Sequence, residues 1–270
     1  MRLARVAHPE HGVAFVTVDG DFDGYDAQGR PIPAVGTSAR EILAHPFGTP
    51  EYSGRVFDLA QCRLLAPILP PKIVAFGRTY AEHAAELGNH VPDEPLCFLK
   101  PSTSVVGPGA AIALPAQSRE VSFEGELAVV IGRPCRDVAA EDVSSVILGY
   151  TIANDVTARD LQKTDGQWAR AKGFDTFCPL GPWIETDLDP AGLNIRTEVD
   201  GEVKQDGTTS DMVFTIGELI EWISSAMTLL PGDVVLTGTP EGVGLLSEGN
   251  IVSIEIEGIG TLVNPVSARR

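Results

Sequence analysis

Apolar and polar residues alternate over 2–7 and again over 13–18, and the PEHG between them has turn chemistry, so the chain opens with a predicted β-hairpin. From Asp19 to Pro33, Gly, Asp and Pro dominate, which predicts a loop. Thr37 or Ser38 is placed to cap a short helix running to Leu43. LAPILPPK then carries three prolines and reads as a linker, dividing a small N-terminal domain (1–66) from a larger one (67–270). In the larger part KIVAFG has the pattern of a buried strand. TYAEHAAELG reads as a helix, with Thr79 and Glu82 as a capping box and Gly88 at its stop. LCFLKP, AIALP and the longer FEGELAVVIG read as strands, AEDVSSVILGY as a helix, and YTIAND as a strand ending at a polar tip. NIRTEV-DG-EVKQ predicts a hairpin, because Asp-Gly suits a type I′ turn. Ile216, Leu219, Ile220, Ile223 and Met227 recur at helical spacing before PGD, and DVVLTG, IVSIEIEG and TLVNPV follow as strands. Strands and helices do not alternate regularly. The pattern predicts an α+β, mostly β fold and disfavours a βα barrel or a doubly wound sheet.

Composition narrows the function. Hydrophobic residues make up 43% of the 270 and charged residues 21%, as in a folded globular protein. The formal net charge of −17 opposes binding to nucleic acid or to an anionic membrane. It also requires a local positive centre if the substrate is an anion. Cys62, Cys97, Cys135 and Cys178 stand apart with no CxxC pair, MRLARVAHPEHG lacks the apolar run of a signal peptide, and no stretch reaches membrane-spanning length. The expectation is a reduced, soluble, cytoplasmic protein.

FEGELAVVIG carries the most informative chemistry. On a strand, Glu124 and Glu126 point to one face and Phe123, Leu127 and Val129 to the other, with the two glutamate Cα atoms roughly 7 Å apart. Two like charges on one face fit either a solvent-facing edge or a site holding something positive between them. Asp155, at the tip of YTIAND, fits either an N-cap or a ligand, and Asp160 fits a pair with Arg159 or a cap. All five histidines precede residue 100. A cation site built from these acids is therefore all oxygen, which selects Mg²⁺, Mn²⁺ or Ca²⁺ over zinc. His83 and Glu86 stand at i and i+3 of a helix, as an incidental surface pair or as a base with its orienting carboxylate. Lys100, Lys172 and Gln162 read, residue by residue, as ordinary solvated side chains. LTGTPEGVG lacks the spacing of a P-loop or dinucleotide loop, yet it can offer backbone N–H groups and Thr239 to an anion.

In order, FGRTYAEHAAELG, FLKP, GPG, FEGELAVVIG, GYTIANDVTARD, GQWARAKGFDTFCPLGPW and PGDVVLTGTPEGVG resemble the fumarylacetoacetate hydrolase family, from about Lys72 to the C-terminus. The resemblance implies a mixed β-roll or sandwich with a small N-terminal domain, commonly as a homodimer. It implies Mg²⁺ or Mn²⁺ on Glu124, Glu126 and Asp155, catalysis by His83, Glu86 and Lys172, and substrate contacts from Gln162 and Thr239. One departure is Thr79, where many members carry Asn. The activity implied is cleavage or isomerisation of a small anionic 2-oxo or 1,3-dioxo acid through an enolate that the cation stabilises. Examples are 2-hydroxyhepta-2,4-diene-1,7-dioate isomerase and acylpyruvate hydrolase. Oxaloacetate decarboxylation and a non-catalytic anion- or metal-binding role are the rival expectations. The segment from Arg78 to Pro92 is expected to act as a lid.

Overall fold

A computed structural model describes residues 1–268. Among these residues the architecture is the expected mostly β one, with two larger sheets and three short α-helices, Ala81–Glu86, Arg159–Asp165 and Ile216–Ala226. The central path of the larger sheet places Cys178–Glu185, Ile147–Asn154, Gly125–Ile131, Val234–Leu236, Ile73–Gly77 and Leu96–Lys100 side by side. The N-terminal segment extends this same sheet. Arg2 pairs with Glu185 and Leu3 with Ile184, and the Met1 ammonium lies 2.5 Å from the Glu185 carboxylate. The second sheet contains Ile112–Leu114, Gly260–Ala268, Ile251–Ile256, Asn194–Val199 and Glu202–Thr208.

The main core lies between the sheets, where Leu127, Val129 and Ile152 of the first meet Ile195, Ile254 and Leu262 of the second. The opposite face of the first sheet is also covered, by a cluster that includes Ala128, Val130, Leu180 and Val234. All seven residues of Gly125–Ile131 are therefore buried, which is why this strand is a near-continuous apolar run. The hairpin over Asp200-Gly201 forms as expected, with φ of 53° and 79° at the two turn residues.

Four local expectations fail, each for a tertiary reason. Residues Ser38–Ile42 are a strand paired on both edges, and the Thr37 hydroxyl donates to Asp21 O at 2.6 Å instead of capping a helix. Only Ala140–Ser145 of the expected helix coils, as a 3₁₀ segment. Ile147–Asn154 is a strand hydrogen-bonded to Gly125–Ile131 and Cys178–Glu185. The loop from Asp19 to Pro33 contains a small ribbon, Phe22–Tyr25 with Pro31–Pro33. Thr79 does not cap the first helix, because its hydroxyl donates to Thr237 O at 2.7 Å and Tyr80 takes the N-cap position. The proline-rich segment after Leu65 is irregular yet packed, with Ile68 in the second core cluster.

Gly125 sits where the first sheet packs directly on the second. A Cβ there would lie 2.3 Å from Thr197 Oγ1 and 3.1 Å from Ile254 Cγ2, while the Gly125 N–H donates to Gln205 Oε1 at 3.0 Å. Glycine between the two glutamates is thus a condition for sheet packing. Gly125→Ala is expected to cost about 1–3 kcal/mol in urea denaturation, the usual penalty for overpacking a core. A loss below about 0.5 kcal/mol would show that the sheets part without strain.

Candidate active site

The acidic centre follows from strand register. Gly125 pairs with Asn154 and Glu126 with Ala153, so the start of one strand lies against the end of its neighbour. Two crossed hydrogen bonds fix the junction: Glu124 N–H to Asn154 Oδ1 at 3.0 Å and Asp155 N–H to Glu124 O at 2.9 Å. Glu124, Glu126 and Asp155 are all buried, and each offers a carboxylate oxygen within 4.8 Å of the others.

Three buried cations face them. Lys172 Nζ bridges Glu124 at 2.7 Å and Asp155 at 2.6 Å. Lys100 Nζ lies 2.5 Å from the other oxygen of Asp155, and Arg159 lies 2.5 Å from Glu124. Burial pushes the Glu124 carboxyl up, but Lys172 and Arg159, with His83, outweigh it and hold it well below the usual range. Burial likewise favours a neutral Lys172, and Asp155 and Glu124 reverse that and keep it charged. Glu126 differs. Burial, then repulsion from Asp155 and Glu124, raises its pKa well above 4.5, and its carboxylate accepts a hydrogen bond from Gly238 N–H at 2.7 Å.

His83, Glu124, Glu126, Arg159, Gln162, Lys172 and Thr239 line one pocket of about 280 Å³. His83 is buried, and its Nδ1 lies 3.3 Å from Glu86. Glu86 does not line the pocket and also accepts from Gly242 N–H at 3.1 Å, which ties the helix to the loop after Leu236. Burial lowers the His83 pKa against the opposing pull of Glu124 and Glu86, so the ring is neutral at neutral pH. Gln162 accepts from Arg159 at 3.2 Å. Thr239 donates to Gly125 O at 2.8 Å and accepts from Gln205 at 2.7 Å.

Two residues escaped the reading of the sequence. Arg159 pairs with Glu124, whereas Asp160 takes Ser118 and the Arg119 N–H. Lys100, read as a solvated side chain, is 2% exposed. Lys172, read the same way apart from the family likeness, is equally buried. Of the three, only Arg159 stands near an acidic motif in the chain, just after Asp155, and only the family likeness pointed to Lys172.

The acidic trio fits a divalent cation. A cation about 2.0–2.6 Å from each ligand oxygen tolerates oxygen separations up to about 5 Å. The donors are all hard oxygens, and Glu126 is a buried carboxylate in need of positive charge.

The comparisons with known proteins agree with this geometry. Residues 72–267 match the model described as fumarylacetoacetate (FAA) hydrolase C-terminal, and residues 1–67 match Rv2993c-like, N-terminal. The chain belongs to the fumarylacetoacetate hydrolase family. It is 57% identical to protein Rv2993c of Mycobacterium tuberculosis over 269 residues, covering 98% of each chain. It is 45% identical over 219 residues to a mitochondrial oxaloacetate tautomerase of Rattus norvegicus, covering 77% of this chain and 70% of the relative. Among solved structures, a 2-hydroxyhepta-2,4-diene-1,7-dioate isomerase of Mycobacterium marinum superimposes with a TM-score of 0.89 at 56% identity, covering 100% of this chain and 99% of the other. A maleylpyruvate hydrolase of Sphingobium sp. SYK-6, in complex with manganese(II) and pyruvate, matches with a TM-score of 0.78 at 32% identity and full coverage of both chains.

Glu126 generates a prediction with a defined sign. Its folded pKa is raised, so the group destabilises the metal-free fold increasingly as pH rises from its unfolded value through the folded one. At pH 7 the metal-free Glu126→Gln protein is expected to melt above the wild type, while its affinity for Mn²⁺ falls by about 100-fold or more. Melting curves in EDTA and calorimetric Mn²⁺ titrations test both halves. Wild-type affinity in the variant would remove Glu126 from the metal site.

Proposed function

We propose that the protein is a divalent-metal-dependent isomerase or tautomerase of 2-oxo acids. The observation that carries this reading is the neutral, buried His83 in the same pocket as the acidic trio. The names of the tautomerase and dioate isomerase relatives support it, since both reactions move a proton without adding water.

Glu124, Glu126 and Asp155 would hold a divalent cation, which would supply a Lewis acid for the 2-oxo group and its carboxylate. Glu86 holds His83 Nδ1, leaving Nε2 as the nitrogen free to act. That nitrogen takes a proton from the carbon beside the 2-oxo group, and the C–H electron pair becomes the enol double bond. The proton returns to the oxygen in a tautomerisation, or to the far end of a conjugated chain in an isomerisation. Lys172 places its ammonium where negative charge grows on oxygen. Hydrolysis of a C–C bond is a second reading, because the same His83–Glu86 pair can activate water, and a hydrolase stands among the structural relatives. An assay panel of oxaloacetate, acylpyruvates and 2-hydroxy-2,4-dienedioates, followed by product analysis, separates the two.

His83→Ala is expected to lower kcat for proton transfer by about 10²–10⁴-fold. The wild-type kcat/KM is expected to hold down to below pH 6.5, the ordinary histidine value, because burial keeps the base neutral there. The acid limb due to His83 should be missing from the residual activity of His83→Ala, and an identical limb in both proteins would reassign it. EDTA is expected to abolish turnover without changing the circular dichroism spectrum, because the core between the sheets contains no metal ligand. A collapse of the spectrum would make the cation structural.

A further inference from the structure

Four cations line the pocket: Arg78, Arg159, Lys163 and Lys172. Three have carboxylate partners, namely Glu124 for Arg159 and Lys172 and Glu120 for Lys163. Arg78 has no ion pair or hydrogen bond from its side chain among the described residues. In a chain with 37 acids and 20 Lys and Arg, a half-buried guanidinium left without an acid is unexpected. Its backbone adds to this. Arg78 has φ of 59°, the left-handed region that non-glycine residues adopt uncommonly. The next residue is pinned on both sides, through the Thr79 hydroxyl to Thr237 O and the Thr79 carbonyl from Val213 N–H at 2.8 Å. Thr79 also packs on Gly238, whose N–H holds Glu126, so Arg78 stands beside the acidic centre without bonding to it.

Charge explains what that position suits. Lys100, Arg159 and Lys172 already equal the three carboxylates in number before a cation enters, all of them through Glu124 and Asp155. The carboxylate and 2-oxo group of a substrate would be held at the divalent-cation site, which leaves Arg78 as surplus positive charge on the pocket wall. A guanidinium fork fits a carboxylate in two-point contact.

We propose that Arg78 anchors a second carboxylate at the far end of the substrate, so that the site selects 2-oxo dicarboxylic acids over monocarboxylic ones. The proposal rests on reading the pocket as a 2-oxo acid site, and its test keeps the two claims apart. The matched probes are 2-oxoadipate and 2-oxohexanoate, which differ only in a terminal carboxylate or methyl. Binding of each to the Mn²⁺-loaded protein is measured by calorimetry, so that the readout does not depend on turnover. The wild type is expected to bind 2-oxoadipate about tenfold or more tighter. Arg78→Asn removes the charge while tolerating the left-handed backbone, and it should reduce that ratio to within about threefold. Arg78→Lys should recover part of it. Equal binding of the two acids by the wild type overturns the anchor, and so does a ratio that survives in a folded Arg78→Asn. Failure of the wild type to bind either acid overturns the 2-oxo acid reading itself, and the anchor with it.

Discussion

Three carboxylates buried within 4.8 Å of one another are the constraint on which the rest of the site depends. In a low-dielectric interior such a group is stable only if charge of the other sign comes with it. The protein supplies that charge from three separate segments. Lys100 comes from the end of an outer strand of the larger sheet, Arg159 from the first turn of a short helix, and Lys172 from the turn that follows. Each cation is itself buried where it meets a carboxylate. The acidic trio is therefore also a junction that fixes how these three segments lie against the sheet.

The balance is uneven, and the unevenness is useful. Glu124 and Asp155 each hold two contacts to cations, whereas Glu126 accepts a backbone N–H. Glu126 is accordingly driven toward the protonated form by burial and by its two acidic neighbours. A divalent cation would relieve this repulsion.

Histidine and carboxylates divide the labour by environment. The same burial that raises Glu126 lowers His83, so one pocket keeps a neutral imidazole beside a cluster of negative charge. Glu86 keeps the ring oriented from outside the pocket, and its hydrogen bond to Gly242 ties helix and loop together. In a chain with net charge −17, these cations gather positive charge at one buried place.

Much of this was legible in the sequence. Period-two alternation marked the first hairpin, apolar runs marked the central strands, Asp200-Gly201 marked its hairpin, and the ordered motifs marked the family, with Glu124, Glu126, Asp155, His83 and Glu86 as candidates. Those features are local: a pleat alternates faces, and a turn needs particular residues, whatever surrounds them. The failures were all long-range. Thr79 abandons the cap because Thr237 O, far along the chain, competes for its hydroxyl. Ser38–Ile42 becomes a strand, and the strand read over YTIAND starts earlier, at Ile147, because neighbours on both edges satisfy these backbones. Lys100 looks like a solvated side chain, and Arg159 like a partner for Asp160, until the fold places buried acids beside them. The sequence determined which residues could bear charge and which strands could form. Only the tertiary structure decided which charges lose their water together, because desolvation depends on what packs around a group, not on its neighbours in the chain.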